Sequence, residues 1–443
     1  MTDEAKSTPH YELGKARPEP YFRIQAIAND YITQIVGTDE LATLISPIIS
    51  EIDEKQVHVI LERMKPFTEG SLSEDFENTL DQFTDELRSV ASFTRKAHGN
   101  AEDGSAEEVN FEPKKFSIKS EIAPQFIDTI SRLIRHVKFG SRVELVRRSL
   151  LINSVSAFEL LFEGLARAVL NVNKAALNDS GQTFTLKDLL NFSSIEDART
   201  EIIDRRLASL LYEGLDGWDA WLGKVAGGVQ MQKLPLDWPR TKEVFARRNI
   251  AVHANCVVSD QYLKYLHPGY SPIPVKGERL QVDDDYLHQS LSHLVTLGVM
   301  LSAAVWKQLY PRAHDSLGNW LSKVQIDLLS QSIWQPVINA SQFSRGLNLA
   351  RSTETRIYIN GLVARKELGG LDSVRDEVER WDVSGLSVRF EHAKNVLLEN
   401  GRSISQVRKL LKSGDINLYE IATNPLYRHM SSEEIVAAQG SGE

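Results

Sequence analysis

Residues 150–172, LLINSVSAFELLFEGLARAVLNV, constrain the fold more than any other stretch. Their apolar side chains recur so densely on the helical period that the helix has no wide polar face to offer water. Such a helix is stable when other helices surround it, so the segment predicts the centre of a bundle. Elsewhere, long segments repeat the helical apolar spacing and convincing two-residue alternation is scarce, so the chain reads as all-α or nearly so. At 443 residues and 42% hydrophobic it can bury sizeable cores without staples, in two or three domains.

Punctuation in the sequence divides the chain. Helical candidates near 21–36, 38–65 and 73–97 make an N-terminal helical region, 1–97. HGNAEDGSAEEVNFEP, 98–113, is a linker or loop by its Gly, Asn and acids and its closing Pro. Residues 116–140 read as helical again, within a basic connecting segment, 114–144. Further along, 187–224 supply one or two helices. Asp237 is placed to cap a new helix that tolerates Pro239 in its first turn. HPGYSPIPVKGE, 267–278, is a loop, and Asp283, Asp284 and Asp285 sit at the positive end of the next helix. Beyond 313, TRIYINGLVARKELGG and VRFEHAKNVLLENGRSISQVRKLL look like helical hairpins with Gly at their ends, and the tail 433–443 reads as disordered.

A net charge of −9 argues against a protein that coats nucleic acid without specificity, yet it leaves room for a local basic groove. SRLIRHVKFGSRVELVRR, 131–148, holds Arg132, Arg135, Lys138, Arg142, Arg147 and Arg148 against one acid, Glu144. It is either a solvated helix face or a phosphate-contacting surface. Cys256 is the one cysteine, so no intrachain disulfide forms, which suits a reducing cytosol. The first twenty residues lack an apolar signal core. The longest stretch without Asp, Glu, Lys or Arg, Tyr286 to Trp306, carries too many His, Gln, Ser and Thr residues for a bilayer span and reads as a buried helix. A cytoplasmic protein is expected.

The chemistry concentrates in FARRNIAVHANCVV, 245–258. On an ideal helix at about 100° per residue, Val252 and Cys256 fall within about 20° of Phe245 and mark an apolar stripe. Asn249 falls near +40°, His253 near +80° and Arg248 near −60°, by the same rotation of about 100° per residue. Polar groups so close to a buried stripe need partners: another helix, a second protomer or a ligand. RNA carries its own nucleophile, the 2′-OH. Its cleavage needs a base for that proton and a cation for the charge that develops on phosphate. Histidine suits the first role at neutral pH and the planar fork of arginine suits the second. No metal or cofactor is required.

RRNIAVHANCVVSDQYL resembles the signature of the HEPN superfamily (higher eukaryotes and prokaryotes nucleotide-binding), an Arg followed by a polar residue, a short spacer and a His. Arg248, Asn249 and His253 fit its commonest form, and the resemblance covers roughly 145–312. It implies a central helical bundle that commonly dimerises, so that two motifs face one cleft. Active members are metal-independent endoribonucleases, often toxins or antiviral effectors. Carried over, Arg248 orients phosphate and stabilises the transition state, His253 is general base or acid, and Asn249 orients the His or the RNA. Arg247 satisfies a looser spacing to His253. Members modified by a partner nucleotidyltransferase have Tyr two residues after the His, where this chain has Asn255. The resemblance thus predicts a ribonuclease bundle flanked by helical regions, 1–144 and 313–432, that sense a trigger or hold an inhibitor. The expected partners are RNA and a second copy of the chain, with no membrane. Other HEPN domains are non-catalytic, and an RNA- or nucleotide-binding module with a C-terminal protein scaffold is the alternative.

Neighbouring residues admit further roles. Glu159, an acid inside the most apolar helix, is either a support for Arg248 or His253 or a salt-bridged edge residue. Cys256 lies one turn past His253, but no third group is in view to orient a Cys–His pair. Asp284 and His288, four apart, with His293 beyond, have the spacing of metal ligands, although Asp at a helix start is explained by capping. GGLDSVRDE lacks the Lys-Ser/Thr and the preceding strand of a phosphate loop.

Overall fold

Short polar side chains start the helices of the central region. In the computed structural model, which describes residues 19–69, 142–173, 176, 185, 192–400 and 402–430, Ser194, Asp237, Ser259 and Asp283 each accept a backbone N–H from the first turn that follows. The longer elements are α1 (Phe22–Glu69), α2 (Arg142–Val172), α3 (Ile195–Tyr212), α4 (Gly214–Val225), α5 (Trp238–His253), α6 (Asp260–Tyr265) and α7 (Asp284–Leu309). They continue with α8 (His314–Ser330), α9 (Trp334–Ser344), α10 (Arg351–Gly369), α11 (Arg375–Arg380), α12 (Val388–Leu397), α13 (Arg402–Ser413) and α14 (Leu418–Thr423). Among the described residues there is no strand, only an isolated bridge between Val257 and Arg279, and the fold is all-α.

Of the described residues, 19–41 and those from 148 onward belong to one compact unit, and 42–69 with 142–147 to a second. In the second, the described residues are helical, and Leu44, Ile48 and Ile52 lie exposed along α1. The predicted helices near 21–36 and 38–65 are one continuous α1. Gly37 stays helical and Thr38 turns its hydroxyl back onto the Gln34 carbonyl at 2.8 Å, so neither residue breaks the ladder. The predicted helices at 73–97 and 116–140, the linker at 98–113 and the tail at 433–443 lie outside the described residues.

The core of the larger unit is built on α2, as its composition predicts. Leu151, Val155, Phe158, Leu161, Phe162 and Leu165 are fully or almost fully buried. Phe162 stacks on Trp218 of α4 with ring centroids 4.4 Å apart, and Phe158 and Trp218 both meet Phe245 of α5 edge-on, at 5.6 and 6.1 Å. The Trp218 indole N–H is satisfied by the Leu210 carbonyl at 2.9 Å. This aromatic group fixes α5 against the bundle.

Helix α7 closes the other side. Its most apolar window is 78% buried, so a helix long and apolar enough to cross a bilayer is here a core helix; α2, apolar enough by the same measure, is 50% buried over its window. Helix α1 crosses α7 at Gly298, where a Cβ would sit 2.2 Å from the Tyr31 ring, and the Tyr31 hydroxyl donates to the Leu294 carbonyl at 2.8 Å. Helices α7 to α10 pack on one another. TRIYINGLVARKELGG, expected as a hairpin, is instead the body of one helix, α10, because its Gly pair comes only at the end, where Gly370 has φ +73. VRFEHAKNVLLENGRSISQVRKLL does form a helical pair, α12 and α13, turned by left-handed Glu399. Val407, Leu410, Ile416, Ile421 and Tyr427 make a small core there.

Candidate functional site

Helix α5 carries the motif, and its two ends are fixed differently. At the start, Asp237 accepts the Arg240 N–H at 3.1 Å. At the end, Ala254 and Cys256 both donate to the Ile250 carbonyl at 2.9 Å, and the chain reverses through left-handed Asn255 and Cys256 (φ +48 and +63). The Asn255 side chain accepts from Arg148 at 2.7 Å and from Arg279 at 3.3 Å, and the returning chain pairs with 277–280. His253 is therefore the last helical residue, followed by a braced turn.

The ideal wheel misplaces the buried face of this helix. Val252 is 48% exposed and Asn249 is exposed, whereas Glu243 and Arg247, on the side opposite Phe245, are buried. Hydropathy does not register charges that neutralise each other. Glu243 accepts from Arg247 Nε at 2.7 Å, the Tyr262 hydroxyl at 3.1 Å and the Tyr286 hydroxyl at 2.8 Å. Arg247 also donates to the Gln281 carbonyl at 2.9 Å and lies over the Tyr286 ring, as does Arg240. Burial, reinforced by the Glu243 carboxylate, raises the Tyr286 hydroxyl's pKa. Cys256 is buried as the wheel has it, although it lies beyond the helix end. Arg247 is thus held inside a structural network that ties α5 to α6 and α7.

Arg248 points the other way. With Asn249, His253 and Glu159 it lines a cleft of about 990 Å³ walled by α2, α3, α4, α5 and α6. Glu159, on α2, forms an ion pair with Arg248, and Arg248 Nη1 also donates to the Asn249 amide oxygen at 3.2 Å. The Arg248 Nε–H is buried without an acceptor, so the guanidinium is held but not satisfied. His253 is exposed at the cleft. Arg248 and His253 are about 7.5 Å apart along the helix axis, and both line the cleft. Of the expected basic surface, Arg132, Arg135 and Lys138 lie outside the described residues. Arg142 is exposed and Arg147 half-buried, both in the smaller unit, and Arg148 is engaged by Asn255.

The other candidates fall elsewhere. Cys256 is fully buried. His288 Nδ1 meets Asp39 at 2.5 Å and its Nε2 lies 3.7 Å from Asp284. His293 bonds Thr241 at 2.7 Å, and burial lowers its pKa to about 4. Among the described residues no group of three or more His, Cys, Asp and Glu is arranged to hold a metal ion. Tyr212, Trp218 and Tyr265 also line the Arg248 cleft. Sequence reasoning missed them, because nothing in the local pattern says which aromatics come together at a cleft. No protein-family profile, curated protein or solved structure matches this chain.

Proposed function

We propose that this chain is a metal-independent endoribonuclease of the HEPN type, and that the cleft of Arg248, Asn249 and His253 is its active site. The observation that carries the reading is the convergence of these residues and Glu159 on one cleft, while the adjacent Arg247 is committed to the core. In the reaction, His253 takes the proton of a 2′-OH. The 2′-oxygen attacks the neighbouring phosphorus, the P–O5′ bond breaks, and the 5′-oxygen leaves with a proton as a 5′-OH. The other product is a 2′,3′-cyclic phosphate. The second protonation falls to a second copy's His253 or to water. Arg248 stabilises the phosphate as its charge grows. Glu159 orients the guanidinium until phosphate competes for it. Unrestrained cleavage would harm the cell, which fits a conditional toxin or antiviral effector in the cytoplasm, acting as a homodimer and restrained or triggered by proteins on the flanking helices.

One feature favours the alternative, a non-catalytic RNA- or nucleotide-binding module: Arg248 is already neutralised by Glu159. The two readings separate when wild type, His253→Ala and Arg248→Ala are induced side by side and total RNA is mapped for new 5′-OH ends. The ribonuclease reading expects new ends from wild type alone. Ends that are equal in all three strains would make the motif structural.

A further inference from the structure

At 94% exposure, Tyr212 is the most exposed large hydrophobic side chain among the described residues. It is the last residue of α3 and stands on the rim of the cleft that holds Arg248 and His253. Core packing does not account for an aromatic ring there. A second aromatic, Tyr265 at the end of α6, lines the same cleft half-buried. Its position is set from several sides. The Lys242 ammonium lies 4.7 Å from its ring centroid and is itself paired with Asp216. A Cβ at Gly214, the first residue of α4, would come 3.6 Å from its hydroxyl. Arg248 and Glu159 line the same cleft, so the fixed ring belongs to the same neighbourhood as the proposed phosphate-binding arginine.

We propose that Tyr212 and Tyr265 form a nucleobase subsite, stacking an unpaired base next to the phosphate held by Arg248. The inference rests on the RNA reading of the cleft and adds the class of substrate, single-stranded rather than duplex RNA. A cation beside aromatic faces matches the two chemistries of a nucleotide, an anionic phosphate and a flat π-system. A base inside a duplex has no free face to give to Tyr212, whereas a base in a loop or an end does. Stacking is tolerant of sequence, so the subsite selects for unpaired structure more than for one base.

The test is anisotropy with a fluorescein-labelled octaribonucleotide, 2′-O-methylated throughout so that it cannot be cut, added to the full-length protein. The wild type is expected to bind the single strand more tightly than the same sequence as a duplex. Tyr212→Ala, at a site too exposed to affect folding, should weaken single-strand binding about tenfold or more, and Tyr212→Trp should restore it. An octamer with one abasic residue, moved along the strand, should lose about as much affinity for wild type at one position and none for Tyr212→Ala. Wild-type binding that Tyr212→Ala leaves unchanged would overturn the subsite and spare the RNA reading. No binding of either strand form by wild type would overturn both.

Discussion

Removing the Glu243 carboxylate should cost this protein more stability than almost any other single change on α5. Glu243 has no exposed surface and takes hydrogen bonds from Arg247, Tyr262 and Tyr286, with Arg240 at 3.6 Å. In Glu243→Leu the Arg247 guanidinium, whose side chain is 8% exposed, loses its one carboxylate partner and keeps neutral ones, the Gln281 carbonyl and the Tyr286 ring among them. A buried charge stripped of its partner costs about 3–5 kcal/mol, and two buried hydroxyls lose an acceptor besides. The pair itself is worth far less than that loss, because both ions had to be desolvated to form it. Arg247→Met in the Glu243→Leu background should therefore recover more than about 1 kcal/mol. The assay is urea denaturation followed by tryptophan fluorescence, since Trp218 stacks on Phe162 in the same core. A loss below about 1 kcal/mol for Glu243→Leu, or a double variant as unstable as the sum of the singles, would refute the network.

Other consequences follow from particular contacts. Gly298→Ala drives a methyl into the Tyr31 ring and should destabilise by about 1–3 kcal/mol, read as a lower urea midpoint; an unchanged midpoint would mean that α1 is free to move off α7. Asn255→Gly and Asn255→Val both lose the bonds to Arg148 and Arg279, but only Val is strained at φ +48, so Val should cost about 1–2 kcal/mol more than Gly by the same measurement. His293 and His392 are buried neutral, with pKa values lowered to about 4 by burial; His392 has no well-formed hydrogen bond to either ring nitrogen, and Gln406 offsets the burial only in part. An unfolded histidine binds its proton near pH 6.5, so their contribution is fully present above that pH and is lost as pH falls toward 4, by up to roughly 3 kcal/mol each. Urea midpoints between pH 7.5 and 4.5 should drop accordingly, and His392→Phe should flatten part of the drop; a flat wild-type profile would contradict the buried neutral state.

The helical character of the chain, the central place of α2, the cap at Asp237, the helix start at Asp283–Asp285 and the loop at 267–278 were legible because each depends on local chemistry. Periodicity, a carboxylate before a first turn, and Pro with Gly act within a few residues. The orientation of α5 was not legible. A wheel anchored on Phe245 buries Val252 and opens the opposite face, whereas pairing with Glu243 lets Arg247 go inside and leaves Val252 in water. That pairing depends on Tyr262 and Tyr286, which no local pattern connects to it. Of the two arginines, Arg248 lines the cleft, and Glu159, singled out as an acid in an apolar helix, pairs with it there. The aromatic wall of Tyr212 and Tyr265 is a tertiary property, assembled from two helix ends far apart in sequence.

The most direct measurement uses purified protein, a chelator and a pair of labelled oligonucleotides, one all-ribose and one carrying 2′-deoxy sugars throughout. The account predicts that the ribose strand alone is cut, to 2′,3′-cyclic-phosphate and 5′-OH ends, by wild type and not by His253→Ala. Cleavage of the deoxy strand, or equal cleavage by His253→Ala, would contradict it.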